Sequence, residues 1–235
     1  MKNVALLFLL ILITTGCATV PIPTVSLDKT TITTNKQEMT IGLVSTPYPE
    51  IDTSVPGADC LLCFAVASGI ISDITEHVKT LDSDLDTLNN LMLNKIKNQG
   101  FRIKMVSDKF DFNALKSVEA NEKTPQLARY DFKPLASKHN ISHLLVLNIT
   151  SHGIVRNFAN YVPTSPPFAA IYGSAYLVDL NKNEYVWYEN IRNTLNAEGE
   201  WDNPPSFPEL TNAYYSVLES TKDSLQQAFS FENNE

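Results

Sequence analysis

Phe168 to Leu180 (FAAIYGSAYLVDL) and Glu184 to Leu195 (EYVWYENIRNTL) stand on either side of Asn181-Lys182-Asn183. Both runs are dense in aromatic and aliphatic residues, and the short link is a turn signal, so the stretch predicts a long antiparallel hairpin. Just upstream, His143 to Thr150 (HLLVLNIT) is apolar on both faces, as a central strand should be. Downstream, the proline-rich stretch Asn203 to Pro208 leads into a final helix. Its inward face is Leu210, Tyr214, Val217, Thr221, Leu225 and Phe229, which recur at helical spacing.

The first half of the chain reads differently. Met39 to Ser45 (MTIGLVS) is a short apolar strand, and Thr46 to Asp59 is a loop punctuated by Pro47, Pro49, Pro56 and Gly57. Cys60 to Ile71 is a dense apolar run, a buried helix or a buried strand, and periodicity does not decide between them. Ser83 is placed to cap a helix with Asp84 and Asp86 in its first turn and Lys95 and Lys97 in its last, which complements the helix dipole. Leu85, Leu88, Met92 and Ile96 form its apolar stripe, and Gly100 its left-handed stop. Phe101 to Val106 (FRIKMV) alternates as a strand. Asp131 then caps a short helix through Leu135 and Ala136 that ends near Asn140.

The order is strand, helix, strand, helix, three strands, helix. It predicts an α/β fold: a single domain with a mixed β-sheet of about five strands and helices packed on it, parallel crossovers early and a hairpin late. The domain is expected over residues 39–230, with an acidic tail at 231–235. Ala18 to Lys36 is rich in threonine and proline and shows no period, so residues 17–38 read as a flexible tether.

Composition narrows the function. The chain has 235 residues, a formal net charge of −8, 43% hydrophobic and 19% charged residues. That supports an ordinary core, and the acidic balance without a long basic run argues against nucleic acid. Eight glycines, no two within ten positions, exclude a glycine-rich phosphate cradle, whose turns need closely spaced glycines.

Met1-Lys2-Asn3 carries an early positive charge, and Val4 to Ile13 (VALLFLLILI) is unbroken and apolar. The run is shorter than the roughly 20 residues that span a bilayer and matches the hydrophobic region of a signal peptide, here residues 1–16. Thr14-Thr15-Gly16-Cys17 follows. The chain here resembles a bacterial lipoprotein precursor, whose lipobox ends in Gly-Cys; the usual leucine three places before the cysteine is Thr14. The resemblance implies that Cys17 is lipidated, with acyl chains such as palmitate, and that each buried methylene contributes about 0.8 kcal/mol to anchoring. Ala18, where aspartate favours inner-membrane retention in such lipoproteins, points to the outer membrane and its periplasmic face. The element order over residues 39–230 is similar to the domain shared by the curli secretion lipoprotein, the penicillin-binding-protein activator LpoB and the amino-terminal domain of TolB. That likeness implies scaffolding, secretion or regulation through protein contact.

Few residues suggest chemistry. Cys60-Leu61-Leu62-Cys63 reads as a structural disulfide or buried thiols, against a redox couple or a metal pair. A redox pair should directly follow a strand with a small polar or proline-containing dipeptide; here a loop precedes it and the dipeptide is Leu-Leu. His77, His139, His143 and His152 read as surface or hydrogen-bonded residues, because a helix end and a strand start between His139 and His143 spoil their ligand spacing. No Gly-x-Ser-x-Gly elbow is present. Asp82, Asp84 and Asp86 are explained by a helix start. Lys95, Lys97, Arg102, Lys104 and Lys109 read as solvated faces, with an anionic envelope polymer as the alternative. Tyr161 to Phe168 is held extended by prolines, and with Phe158, Tyr161 and Phe168 it forms a candidate protein interface.

The expectation is therefore a non-enzymatic lipoprotein without cofactor or metal, anchored in the outer membrane, meeting envelope proteins or itself in assembly, secretion or regulation. The alternative is a lipid- or solute-binding accessory of an envelope transport system.

Overall fold

In the computed structural model, residues 21–121 and 123–231 are described. The signal peptide, Cys17 and residues 232–235 lie outside them. The elements are α1 (Lys29–Thr34), β1 (Thr40–Ser45), β2 (Asp52–Ser54), α2 (Leu61–Ile70), α3 (Ser72–Val78), α4 (Thr87–Asn98), β3 (Arg102–Ser107), α5 (Lys133–His139), β4 (His143–Val155), β5 (Phe158–Ala159), β6 (Val162–Pro163), β7 (Phe168–Asp179), β8 (Glu184–Asn196) and α6 (Pro208–Ala228). A mixed six-stranded sheet runs β3-β1-β4-β7-β8, with β2 added beside β4. The α/β expectation with a mixed sheet holds.

Strand β4 is the spine. Its first half pairs in parallel with β1, and its last three residues pair in parallel with β2 on the same side. Its other edge pairs antiparallel with β7 over nearly its whole length, and β7 with β8 likewise. Asn183 takes the left-handed conformation (φ +63°) that closes the β7–β8 turn.

One face of the sheet carries the main core. Ile41, Leu43, Leu145, Leu147, Ile171, Leu177 and Trp187 meet Leu88, Met92 and Ile96 of α4 and Leu210, Tyr214, Val217 and Leu225 of α6. The stripes read from the sequence are thus the buried faces, and each fully buried Leu or Met contributes about 1.5–3 kcal/mol. Gly100 (φ +79°) ends α4 in the conformation that side chains resist. Ser83 makes no side-chain capping bond; a single tight turn over Asp84–Asp86 precedes α4 instead. Likewise α5 begins after Phe132, with the Asp131 carboxylate only accepting from the Lys133 N–H at 3.2 Å.

Among the described residues, the opposite face is covered at one end only. There Leu144, Val146, Tyr176, Val178 and Tyr185 pack beneath Phe132 and Leu135, with Val25 beside them.

The expected tether needs correction. Over residues 21–38 the chain lies on the domain: Val25 bridges antiparallel to Tyr188, and Asp28 caps α1 by accepting from the Thr30 and Thr31 N–H groups at 3.1 Å. Ile32 reaches the main core. A threonine-rich helix of six residues has poor intrinsic propensity, so the cap and this burial hold it.

Candidate functional site

Helix α2 presents the most unusual surface. Its N-cap is Cys60, whose Sγ accepts from the Cys63 N–H at 2.9 Å, and Cys60 and Cys63 are joined as a disulfide. Within α2 only Cys63 and Ala67 are buried; with Ile71 they form a stripe at i, i+4, i+8 that packs on Ala58, Phe158 and Val55. The rest of the helix faces solvent: Leu61 is 89% exposed, Leu62 69% and Phe64 56%, with Val66 and Ile70 also out. No charged residue occurs between Asp59 and Asp73. The sequence-based expectation of a buried run is thus corrected: it is a helix attached by one narrow stripe. Of the two cysteines, Cys63 is buried and Cys60 is exposed.

The β5–β6 hairpin lies next to it. Its Phe158 N–H donates to the Pro56 carbonyl at 2.8 Å and its Asn160 N–H to the Gly57 carbonyl at 2.9 Å, which seats the hairpin against the loop entering α2. Tyr161 and Val162 stand exposed at its tip. Of the expected interface trio, then, only Tyr161 offers its ring to solvent. Phe158 is buried beneath α2, because the hairpin needs an apolar anchor where it crosses the loop, and Phe168 is half-buried at the start of β7.

A second surface is the uncovered half of the sheet. Thr150, Tyr172, Ser174, Tyr188, Asn190 and Arg192 line a shallow depression of about 280 Å³ there. Thr150, Asn190 and Arg192 are exposed, the two tyrosines and Ser174 half-buried.

Buried polar groups are satisfied internally. His152 Nε2 lies 2.8 Å from the Pro49 carbonyl oxygen, which only accepts, so Nε2 carries the proton. Nδ1 then accepts from the Tyr214 hydroxyl at 3.0 Å. Burial lowers the His152 pKa, the Pro49 carbonyl opposing it, and burial pushes the Tyr214 phenol up to about 12. Tyr48 donates to Asn89 Oδ1 at 2.8 Å, and Asn89 Nδ2 donates to Ser45 Oγ at 2.9 Å, tying α4 to β1. Lys222 is buried on α6 and pairs with Asp84 and Glu219, which assigns Asp84 a structural partner.

The remaining candidates do not converge. His77 pairs with Thr211 at 2.7 Å and His143 with Ser142 at 2.9 Å, while Asn140 in the left-handed region separates His139 from His143. Among the described residues no group of three or more His, Cys, Asp or Glu is placed to hold a metal ion. In the basic segment, Arg102 donates to the Gln37 and Met39 carbonyls and Lys104 to that of His139. A cleft of about 910 Å³ between residues 48–52 and 79–86 carries Glu50, Asp52, Asp86 and Lys79, all exposed, on its walls.

Sequence reasoning missed Leu61, Leu62, Phe64, Val66, Ile70 and Val162. The available signal was a stretch free of charge yet lacking the polar stripe of a half-buried helix.

No family model and no curated protein matches this chain. Solved structures resemble it at low identity. Protein XCC0632 from Xanthomonas campestris is 10% identical, with 91% of this chain and 93% of that one covered and a TM-score of 0.33. Lipoprotein GNA1162 from Neisseria meningitidis is 11% identical over 78% of this chain and 99% of its own, with a TM-score of 0.28. A PelC dodecamer from Paraburkholderia phytofirmans is 11% identical over 86% and 93%, with a TM-score of 0.26. Scores this low carry no argument about function.

Proposed function

We propose that this chain is an outer-membrane lipoprotein, acylated at Cys17 and facing the periplasm, that acts by contact with envelope proteins or with copies of itself, not by catalysis. The lipobox-like Thr14 to Cys17 supports the anchor. The observation that carries the contact reading is the uncovered half of the sheet. It combines Tyr172, Tyr188 and Arg192, residue types favoured at protein interfaces, with the hydrogen-bonding side chains of Thr150, Ser174 and Asn190. Assembly, secretion or regulation in the envelope are the roles such a surface serves.

Two measurements test this. Mass spectrometry of the mature amino terminus should find acyl chains on Cys17, and Cys17→Ser should leave an unacylated precursor that does not sort to outer membranes; an unmodified Cys17 in the wild type overturns the anchor. A photo-cross-linking amino acid at Asn190 in living cells should capture an envelope protein or a second copy, and the same probe at Lys182 should not. Identical patterns at the two positions overturn the contact surface.

A further inference from the structure

We propose that the exposed apolar surface of α2 and the β5–β6 tip inserts into the headgroup and upper acyl region of an uncharged bilayer, so that the domain lies on the membrane instead of hanging from it. The proposal rests on the reading of Cys17 as the lipid anchor.

Three observations lead to it. The first is the shape of the apolar surface. Cys63, Ala67 and Ile71 alone fix α2 to the domain, and around the exposed arc stand Leu61, Leu62, Phe64, Val66 and Ile70. A helix apolar nearly all round belongs in an apolar medium. A single protein surface covers one side of a projecting helix, whereas lipid surrounds the whole of it. Tyr161, with its amphipathic ring, stands beside this surface, as tyrosines do at membrane interfaces.

The second is reach. Val25 pairs antiparallel with Tyr188, so residues 21–24 leave Val25 on the side toward Asn196. Asn196 pairs with Phe168, and Phe168 with Val155, whose next residues lead into the β5–β6 hairpin. Tyr188 and Asn196 are eight positions apart, and so are Cys17 and Val25. Eight positions of fully extended chain cover at most about 27 Å, the length of β8 from Tyr188 to Asn196, which is enough for an acylated Cys17 to reach the level of the patch. The third is charge. Asp59, Asp73 and Glu76 flank the helix, which disfavours anionic headgroups and selects neutral ones. The neighbouring helix α3 does not follow α2 into lipid, because its Ile74 and Val78 are in the main core.

The test uses the full-length mature protein reconstituted into phosphatidylcholine vesicles with brominated acyl chains. The indole introduced by Leu61→Trp should be quenched several-fold more than that introduced by Lys182→Trp at the far end of the sheet. With Leu61→Ser, Leu62→Ser and Phe64→Ser in place, the indole from Val162→Trp should lose its quenching. Equal quenching at residues 61 and 182 overturns the proposal. So does a concentration-dependent dimer in lipid-free solution that the three serine substitutions abolish, since the patch is then an interface between copies. Mass analysis of Cys17 reads the anchor independently. If the cysteine is unmodified, vesicle binding of the wild type is measured by flotation; binding weakened at least about tenfold by the serine substitutions supports insertion, and no binding overturns it.

Discussion

Replacing Tyr214 by phenylalanine removes one oxygen from the most enclosed aromatic of α6, which has no exposed surface. That oxygen serves His152 Nδ1 at 3.0 Å and also meets the Ser83 hydroxyl. His152 is held by its Nε2–H to the Pro49 carbonyl, so its ring cannot turn to find another donor without breaking that bond. Tyr214→Phe therefore orphans a buried acceptor, which costs about 1–3 kcal/mol; the ring itself stays packed, so no cavity is added. Taking about 2 kcal/mol, the thermal midpoint of a chain of this size should fall by about 4–8 °C. The assay is urea unfolding followed by circular dichroism, with the midpoint moving and the slope unchanged. His152→Leu and the double variant complete a cycle, whose coupling energy should exceed about 0.5 kcal/mol. A loss below about 0.3 kcal/mol in Tyr214→Phe, or strict additivity, would refute the assignment of donor and acceptor.

Acid should destabilise the fold before its carboxylates protonate. Burial lowers the pKa of His77, His143 and His152, so near the unfolded value of about 6.5 the unfolded chain binds protons that the native state does not. Their contribution is complete above that pH and lost as pH falls toward the folded values; a midpoint equal at pH 7.5 and pH 5 would contradict this. At Lys222 the two sides of the ion pair should differ. Lys222→Met leaves Asp84 and Glu219, 54% and 63% exposed, free to hydrate and should cost no more than about 1 kcal/mol. Asp84→Asn with Glu219→Gln strands a buried ammonium and should cost about 3 kcal/mol, read by the same unfolding curves. Gly57 has φ +88°, and a Cβ there would collide with the Phe158 carbonyl oxygen. Gly57→Ala should cost about 1–3 kcal/mol and raise amide exchange at Phe158 and Asn160, while exchange in α6 stays slow.

What the sequence made legible follows from periodicity sustained over several turns or a long strand. The stripes of α4 and α6, the β7–β8 hairpin and the central β4 are each long enough for burial to imprint a repeat. Elements fixed by few contacts left no such imprint. Helix α1 is six residues of poor helix formers, set by one capping carboxylate and Ile32; β2 is three residues inside a proline-rich loop, paired with β4 alone. The α2 surface was misread for a different reason. Apolarity predicts transfer out of water, but it does not say whether protein or another phase receives the side chains. Phe158 and Tyr161 looked equivalent in sequence, and the hydrogen bonds to Pro56 and Gly57 decide which ring turns inward.

The register shift in β4 between Ile149 and Ser151 bears on how this fold tolerates changes in length. Before it, the odd-numbered Leu145, Leu147 and Ile149 face the main core; after it, His152 and Ile154 do. Thr150 is the extra residue that changes the phase. Deleting a residue elsewhere in β4 would turn every side chain between that point and the bulge to the other face, unlike indels in surface connections, which are usually tolerated. Removing Thr150 itself would leave a regular strand, with Ile149 inward, Ser151 outward and His152 still facing Tyr214, and the pairings with β7 and β2 beyond it kept. Diverged versions of this chain are therefore expected to gain and lose residues in the segments around 46–51 and 108–126, and within β4 to change length only at Thr150.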